Sequence, residues 1–424
     1  MKRSRRKKIN KVKILSVIFG ILLLIVGIIA ILKIFIKPVE EKKLLMLDIV
    51  GKDINEVNVL LSEYELDINT EYKYNDDVLK DKVISQSIIK DTEINKGDKL
   101  DLVVSLGKRD LDKLKNDGIN ELGKVPIMMY HGIKNISNSD TKYTGGNVDK
   151  DGYTRTAEAF RNDLEFYYTN GYRMVKLSDY INGNIDIEYG KSPIVLTFDD
   201  GNDNNILVTG LDEKGNIIID KNSAVGILEE FKKNHPDAPV SAIFFVTSAL
   251  FNQPEYNERI IKWLVENGYE VGNHTKGHNN LSNTSEAQTE EVIGTVYNQL
   301  KDIIGDKYSK IVALPFGTPY NKTHVNYKHV LSGEYNGVKY ETEAALRVGW
   351  EPEVSPYHRD FDKQFLKRCR AYDNNGADFD IKMVFRMLDT SRYVSDGDKE
   401  TIITSKANSG LINNDIKKEI VLYE

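Results

Sequence analysis

The strongest signal in this chain of 424 residues is the segment Pro193-Ile194-Val195-Leu196-Thr197-Phe198-Asp199-Asp200-Gly201. Its first part is short, apolar and rich in β-formers, which predicts a buried strand. Two adjacent carboxylates, Asp199 and Asp200, leave the carboxyl end of that strand together. Gly201 then permits a sharp turn without a Cβ clash, and we expect it to leave room for a substrate or an ion beside the two acids.

A second motif, His274-Thr275-Lys276-Gly277-His278, lies farther along the chain. Its two histidines stand at i and i+4, a spacing that predicts both imidazoles on one side of a helical turn. Two imidazoles and one carboxylate leave coordination positions open for water, as a catalytic zinc site requires. Either motif alone is more often a solvated turn or a chance spacing. Together they predict a metal site that activates water for hydrolysis.

The two motifs resemble those of the polysaccharide deacetylases, carbohydrate esterase family 4, and the resemblance spans roughly residues 125–424. It implies an α/β fold, a distorted (β/α) barrel with its site at the carboxyl ends of the strands. It also implies a divalent metal, expected to be Zn2+, with Asp200, His274 and His278 as its ligands. Asp199 would be the catalytic base.

The third motif of that family, Arg-x-Pro-x-Gly, is matched here only by Ala313-Leu314-Pro315-Phe316-Gly317, so the arginine that orients the base is missing. Pro315 and Gly317 preserve the loop, and we expect both to contribute to substrate binding. The backbone N–H of Phe316 is the expected oxyanion donor. Arg347 is one candidate replacement for the arginine.

The late Leu-x-His of the family, which supplies a general acid, is also absent, because no histidine follows His358. An earlier strand ends in Tyr130-His131, which resembles the start of the circularly rearranged branch that acts on poly-N-acetylglucosamine. There an early histidine is the acid, so His131 is the expected acid and His358 its competitor. A histidine after an apolar strand is otherwise more often structural. Tyr130 and Trp350 are further candidates for substrate binding.

The amino-terminal segment predicts where the reaction takes place. Residues 1–13 form a basic tail, with eight basic and no acidic residues between Lys2 and Lys13, and nineteen uncharged residues follow from Ile14 to Leu32. At ~1.5 Å per residue this stretch is about 28 Å long, close to the thickness of the hydrocarbon core. We expect a transmembrane helix at residues 14–36, a single-pass protein of the cell membrane and an extracellular catalytic domain. A cleaved signal peptide is the rival interpretation.

Residues 44–107 predict a separate small domain. Asp53-Ile54-Asn55-Glu56 has the form of a capping box before an amphipathic helix, in which Ile54, Val57, Leu60 and Leu61 share one face. The segments Val50-Gly51-Lys52, Val83-Ile84-Ser85-Gln86-Ser87, Lys96-Gly97-Asp98 and Val104-Ser105-Leu106-Gly107 resemble a PASTA domain, a module associated with peptidoglycan. A plain spacer is the alternative. Residues 108–124 read as a linker before the deacetylase domain at residues 125–424.

Composition limits the partners. The net charge is -6 although the tail is strongly basic, so the outer part is acidic, which argues against nucleic acid or anionic lipid as its ligand. Cys369 is the only cysteine and cannot form an intrachain disulfide. The sequence therefore predicts a metal-dependent N-deacetylase of a cell-wall glycan, with peptidoglycan N-acetylglucosamine as the favoured substrate. The alternatives are poly-N-acetylglucosamine as substrate, or a catalytically silent wall-binding or sensing protein.

Overall fold

A computed structural model of the protein describes residues 44–424 together with Leu24 and Gly27. The chain divides into two compact units, Met1–Arg109 and Asp110–Glu424. The predicted basic tail at residues 1–13 and transmembrane helix at residues 14–36 lie outside the described residues, those two positions excepted. In the described part, none of the helices combines the length and the apolar character that crossing a membrane requires.

The first unit is a small α+β domain. Its elements are β1 (Leu44–Leu45), α1 (Ile54–Leu61), β2 (Asp67–Lys73), β3 (Val83–Gln86), β4 (Glu93–Ile94) and β5 (Lys99–Ser105). The central strand β5 runs parallel to β2 and antiparallel to β3, while β1 pairs with β4. Helix α1 begins after Asp53, whose carboxylate accepts a hydrogen bond from the Asn55 N–H at 3.0 Å. The predicted helix start is confirmed, although Glu56 pairs with Lys52 rather than returning to Asp53.

The core of this unit lies between α1 and the three-stranded sheet. The helix buries Ile54, Val57 and Leu61, whereas Leu60, which the periodicity places on the same face, is exposed. Strand β5 buries alternate residues from Leu100 onward, as expected when one face of a strand covers a core. The remaining buried members are Met46, Ile49, Val83, Ile94, Leu102 and Val104.

The second unit is built on parallel strands that alternate with helices. Its strands are β6 (Lys124–Val125), β7 (Ile127–Tyr130), β8 (Ile133–Lys134), β9 (Arg155–Thr156), β10 (Tyr172–Met174), β11 (Ser192–Phe198), β12 (Val208–Leu211), β13 (Ile217–Ile219), β14 (Ile243–Val246), β15 (Glu270–Asn273), β16 (Ile311–Ala313), β17 (Ser332–Tyr335), β18 (Val338–Glu341), β19 (Ala344–Leu346), β20 (Glu353–Val354), β21 (Cys369–Arg370), β22 (Thr401–Ser405) and β23 (Glu419–Tyr423). Its α-helices are α2 (Leu111–Asn116), α3 (Ala157–Thr169), α4 (Leu177–Ile181), α5 (Ala224–Asn234), α6 (Asn257–Glu266), α7 (Glu286–Ile304), α8 (Tyr327–Leu331) and α9 (Ile381–Leu388).

Eight of these strands form one sheet in the order β19-β16-β15-β14-β11-β7-β21, with β10 beside the first half of β11. All of its pairings are parallel, because each strand returns through a connection over the outside of the sheet. The inward faces are apolar: strand β11 is buried along its whole length.

Residues 366–370 bring the two edges of this sheet together. The Leu366 N–H donates to the Ala345 carbonyl at 2.9 Å, and the Arg347 N–H donates to the Leu366 carbonyl at 2.8 Å, which ties the segment to β19. Three residues later Cys369 and Arg370 pair with β7. The last part of the sheet is therefore joined to its first strand, and the predicted distorted (β/α) barrel is confirmed.

The predicted linker at residues 108–124 is wrong from residue 110 onward. Helix α2 begins there, and its Leu114 packs with Ile119, Val394 and Ile403 in a small apolar cluster of the second unit. Its charged residues are numerous but lie on the outer surface, which is why no apolar period is visible in the sequence. Strands β12 and β13 form an antiparallel hairpin.

Candidate active site

The candidate site lies where the carboxyl ends of the barrel strands meet. His131 follows β7, Asp199 and Asp200 follow β11, His274 follows β15, and the loop at residues 315–317 follows β16. Because parallel strands end at the same edge of the barrel, these side chains converge although they are far apart in sequence.

Asp200, His274 and His278 form a compact group of possible metal ligands. Asp200 Oδ1 lies 3.2 Å from His274 Nε2 and 3.6 Å from His278 Nε2. One ligand atom from each of the three residues lies within 4.8 Å of the others. The histidines do not lie on a helical turn, so that prediction is wrong. The chain reverses after β15 through a turn in which Thr275 and His278 adopt positive φ angles of 64° and 52°.

These residues fit a divalent cation. His274 Nδ1 lies 2.8 Å from the Ala313 carbonyl oxygen, to which only an N–H can donate, so Nε2 carries the lone pair. That Nε2 is buried and, although Asp200 Oδ1 lies 3.2 Å away, it makes no hydrogen bond. A histidine whose other ring nitrogen is held by a carbonyl is the usual arrangement at a protein metal site. Four tetrahedral ligands at ordinary zinc distances stand roughly 3.4 Å apart, close to the separations found here.

The charges around this group also favour a cation. Burial lowers the pKa of His274, but the carboxylates of Asp199 and Asp200 outweigh it and raise that pKa. Burial and the neighbouring His274 lower the pKa of His278. Burial opposes ionisation of Asp200, yet its contacts with the imidazole of His274 hold its pKa below the ordinary value. The group therefore presents concentrated negative charge and ring nitrogens to one point.

Asp199 is held by Arg368, a residue that the sequence did not suggest. Arg368 Nη1 and Nη2 each lie 2.7 Å from one of the two carboxylate oxygens of Asp199, and Nη1 also reaches Thr197 Oγ1 at 3.2 Å. Both side chains are almost fully buried. Burial alone would raise the pKa of Asp199, but the guanidinium reverses this and holds the pKa well below its usual range. Asp199 is therefore ionised and fixed in one plane.

Backbone strain at the end of β11 positions the acids. Asp200 has a φ of 75° and Gly201 a φ of 64°, both in the left-handed region. A Cβ on Gly201 would lie 2.0 Å from the carbonyl oxygen of Leu250. The glycine is therefore required by a close approach of backbone, and not by space for a substrate as its sequence context predicts.

A cavity of about 330 Å³ opens above the ligand group. Its lining residues are His131, Gly132, Tyr153, Thr154, Asp199, Asp200, Asn202, His274, His278, Leu314, Phe316 and Val348. The His131 ring meets the Tyr153 ring edge to face at 4.8 Å, and its Nδ1 is buried without a partner. Burial lowers the pKa of His131, although Asp199 and Asp200 partly offset this. A nucleophile, a base and an acid can thus act on one bond here.

Comparison with known protein families assigns both units. Residues 186–332 match the polysaccharide deacetylase family, and residues 45–106 match the PASTA domain. The chain carries a polysaccharide deacetylase domain. A PASTA domain precedes it along the chain.

Several solved structures are similar to parts of this chain. The Streptococcus pyogenes deacetylase PplD in complex with acetate has 17% identity and a TM-score of 0.42, covering 59% of this chain and 93% of that one. A de-N-acetylase from Aggregatibacter actinomycetemcomitans has 12% identity and a TM-score of 0.39, with coverages of 58% and 94%. The extracellular region of the Ser/Thr kinase PrkC from Staphylococcus aureus has 29% identity and a TM-score of 0.15, with coverages of 16% and 24%. No curated protein matches the chain.

The third motif of the deacetylase domain forms a short turn beside the cavity. Phe316 has a φ of 57°, and its ring packs against that of His278 at 4.5 Å. Pro315 and Gly317 are buried under this turn and do not line the cavity, so their role in the structure is to shape the loop. Ala313, which stands where the family has arginine, contributes its carbonyl to His274.

Two predicted substrate-binding residues are placed elsewhere by the structure. Tyr130 lies in the core, where its hydroxyl is 2.7 Å from that of Tyr167 and 3.2 Å from Asp163. It points away from the cavity because successive residues of a strand face opposite sides. Trp350 is 58% exposed and does not line the cavity, to which Val348 contributes instead.

Two further candidates are resolved by their contacts. Arg347 stacks on Phe365 at 4.5 Å and does not reach Asp199, although its carbonyl accepts a hydrogen bond from Arg368 Nε at 2.9 Å. His358 lies near Asp360 and outside the cavity, so His131 is the better-placed acid.

Arg368 was missed because no local signal marks it. Lys367-Arg368-Cys369-Arg370 reads as an exposed basic stretch, and Arg368 is 169 residues from Asp199 in the chain. It also lies beyond the segment that matches the deacetylase family.

Proposed function

We propose that this protein hydrolyses N-acetyl groups on an amino sugar of a cell-wall glycan, with peptidoglycan N-acetylglucosamine as the favoured substrate. The observation that carries the proposal is the convergence of Asp200, His274 and His278 beside an arginine-held Asp199 and His131 in one cavity. The PASTA domain supports a wall glycan, since such modules are associated with peptidoglycan. Poly-N-acetylglucosamine is the alternative substrate, favoured by the position of His131 after the first barrel strand.

Asp200, His274 and His278 would hold the divalent cation, expected to be Zn2+ because the donor set combines one carboxylate with two imidazoles. When bound, such a cation supplies Lewis acidity, which polarises a carbonyl and makes water more acidic. Asp199, which Arg368 keeps ionised, would accept the proton of the attacking water. The backbone N–H of Phe316 would stabilise the oxyanion.

His131 would protonate the departing sugar nitrogen. An amide anion is far too basic to leave, so cleavage of an N-acetyl group requires a proton donor within reach of that nitrogen. His131 lines the same cavity as Asp199, from the carboxyl end of the neighbouring parallel strand β7, so that an acid and a base would face one bound substrate. The presence of both an acid and a base argues against a catalytically silent binding protein, which needs neither group.

The location of the activity is also a proposal. A basic tail and an uncharged stretch in the first 36 residues would anchor the chain in the cell membrane with both domains outside. The wall glycan would then be within reach of the PASTA and deacetylase domains.

Acetate release from peptidoglycan and, separately, from an N-acetylglucosamine oligomer tests the proposal. The full-length chain should release acetate from at least one of them, lose that activity with a chelator and regain it with Zn2+. Metal content is measured independently: about one equivalent is expected for the wild type and little for His278→Ala, with His358→Ala as the matched control. Stoichiometric metal without acetate release from either glycan would refute the enzymatic role.

A further inference from the structure

Arg370 does not line the cavity itself, but it contacts Tyr153, a residue of the cavity wall next to the proposed acid. It follows Arg368 by two residues, so the two side chains share one face of the segment that closes the barrel. Arg368 reaches down to Asp199, whereas the Arg370 guanidinium carbon lies 5.5 Å from the centre of the Tyr153 ring. That ring lines the cavity and contacts His131 at 4.8 Å. Arg370 is therefore one aromatic ring away from the expected position of the leaving nitrogen.

Arg370 is held in place by aromatic contacts alone. Its guanidinium carbon lies 3.8 Å from the centre of the Tyr372 ring, and Tyr372 is itself buried and anchored by its hydroxyl to the Asp378 carbonyl. Among residues 44–424, no carboxylate pairs with Arg370 and no acceptor receives a hydrogen bond from its side chain. Stacking engages the faces of a guanidinium and leaves its in-plane N–H donors available.

The nearest carboxylates of the site are already committed. Asp199 is paired with Arg368, and Asp200 belongs to the metal-ligand group. Arg370 is thus a fixed, half-buried cation at the edge of a binding cavity without a counterion in the described part of the chain. A planar guanidinium in this setting matches a carboxylate on a ligand, because the two groups form paired, charge-assisted hydrogen bonds.

We propose that Arg370 is a specificity-determining residue that binds a carboxylate on the sugar next to the one being deacetylated. This inference rests on the proposed function and narrows its substrate class: the enzyme should prefer an acidic glycan over a neutral one. A glycan in which N-acetylglucosamine alternates with a sugar bearing a lactyl carboxylate has the required group. A homopolymer of N-acetylglucosamine lacks it.

The test compares two peptide-free oligomers of equal length: a neutral N-acetylglucosamine oligomer, and one in which N-acetylglucosamine alternates with N-acetylmuramic acid. The full-length, Zn2+-loaded protein is assayed as wild type, Arg370→Met and Arg370→Lys. Arg392→Met is the matched control, since Arg392 also stacks on a tyrosine, Tyr172 at 5.6 Å, but away from the cavity. Melting temperatures verify that each variant folds.

The wild type should favour the acidic oligomer, and Arg370→Met should lower kcat/KM for that oligomer by roughly 10- to 100-fold, mainly through KM. The value of kcat/KM for the neutral oligomer should change by no more than about twofold, because that oligomer has no carboxylate with which Arg370 could form a hydrogen bond. Arg370→Lys should retain part of the preference, and Arg392→Met all of it.

An equal loss of kcat/KM on both oligomers in Arg370→Met would overturn the inference, because it would show that Arg370 only supports the fold of the cavity. A wild type that uses both oligomers equally well would overturn it too, while leaving the proposed deacetylase function intact. Absence of acetate release from either oligomer by the wild type would instead refute the proposed function itself.

Discussion

Replacement of Arg368 by methionine is the sharpest test of the site. Methionine preserves much of the length and apolar bulk of the arginine side chain but removes its charge and its donors. Arg368 has no exposed side-chain surface, and Asp199 has 2%. Water cannot replace the lost partner, so the variant would leave Asp199 as an uncompensated carboxylate in the barrel interior.

The expected cost is large. Removing one partner of a buried ion pair costs about 3–5 kcal/mol, because the other charge stays desolvated. A typical domain has a total free energy of unfolding of about 5–15 kcal/mol, so the variant should be strongly destabilised. Asp199 can lower this cost by binding a proton, since burial raises its pKa and, without the guanidinium, only His274 and His131 oppose that effect. A protonated Asp199 cannot act as base, and acetate release should fall ~100-fold or more.

Denaturant unfolding and acetate release measure the two effects separately. The double variant Arg368→Met/Asp199→Asn removes the charge as well as its partner, so it should regain most of the lost stability while remaining inactive. Arg359→Met is the control, since Arg359 is an exposed arginine with 57% of its side-chain surface accessible. It should change stability by less than about 0.5 kcal/mol.

Two results would show that this reasoning is wrong. One is an Arg368→Met protein with the same unfolding free energy as the wild type. The other is a variant that is destabilised but keeps its full rate of acetate release, because then Asp199 does not depend on Arg368 for its ionised state.

Three other predictions follow from the structure. His131→Ala should slow acetate release from an N-acetyl sugar ~100-fold but affect an O-acetyl ester much less, since an alkoxide leaves more easily than an amide anion; equal losses, or a similar loss in His358→Ala, would contradict its role as acid. Gly201→Ala should destabilise the protein by about 1–3 kcal/mol and weaken metal binding, because its Cβ would lie 2.0 Å from a carbonyl oxygen. Gly190→Ala is the control, since Gly190 also has a positive φ, 74°, but open space around it, so that this variant measures the backbone strain alone. Equal unfolding free energies of the two variants would refute the steric argument. Burial raises the pKa of Glu121 well above its ordinary value of 4.5, so the folded state retains a proton that the unfolded state releases, and the stability of the protein should fall as the pH rises above 4.5. In thermal melts at several pH values, Glu121→Gln should show a weaker dependence of stability on pH than the wild type. The same pH dependence in both proteins would refute the prediction.

The fold was largely predictable because its strands are short, apolar and separated by helical patterns. Strand β11 lies where the apolar run that ends at Phe198 predicts it. The closure of the barrel was not predictable, since residues 366–370 contain charged side chains and form few strand pairs. The wrong prediction of a linker at residues 108–124 has a similar cause. Helix α2 buries a single leucine among charged residues, which is too little to produce a visible hydrophobic period in the sequence.

The ligand group was predictable because Asp200, His274 and His278 belong to two local motifs. Their convergence needs only that both motifs follow parallel strands. The i, i+4 spacing predicts that the rings of the two histidines lie together on a helix; they do lie together, but a turn with left-handed residues brings them there. Residues that act through long-range contacts, Arg368 above all, carry no local pattern, and a local pattern is all that a single sequence displays.

The absence of an arginine at Ala313 therefore says little about activity. The base on β11 needs a buried guanidinium within reach of its two oxygens, and any segment that borders the barrel interior can supply one. Here the closing segment supplies it: β21 pairs with β7, which pairs with β11, so a side chain just before β21 reaches across to Asp199. The backbone carbonyl of Ala313 still orients His274 by accepting a hydrogen bond from its ring. The hypothesis of a silent wall-binding protein drew on the lost arginine, and that argument fails once the same bonds to the base are made from another strand.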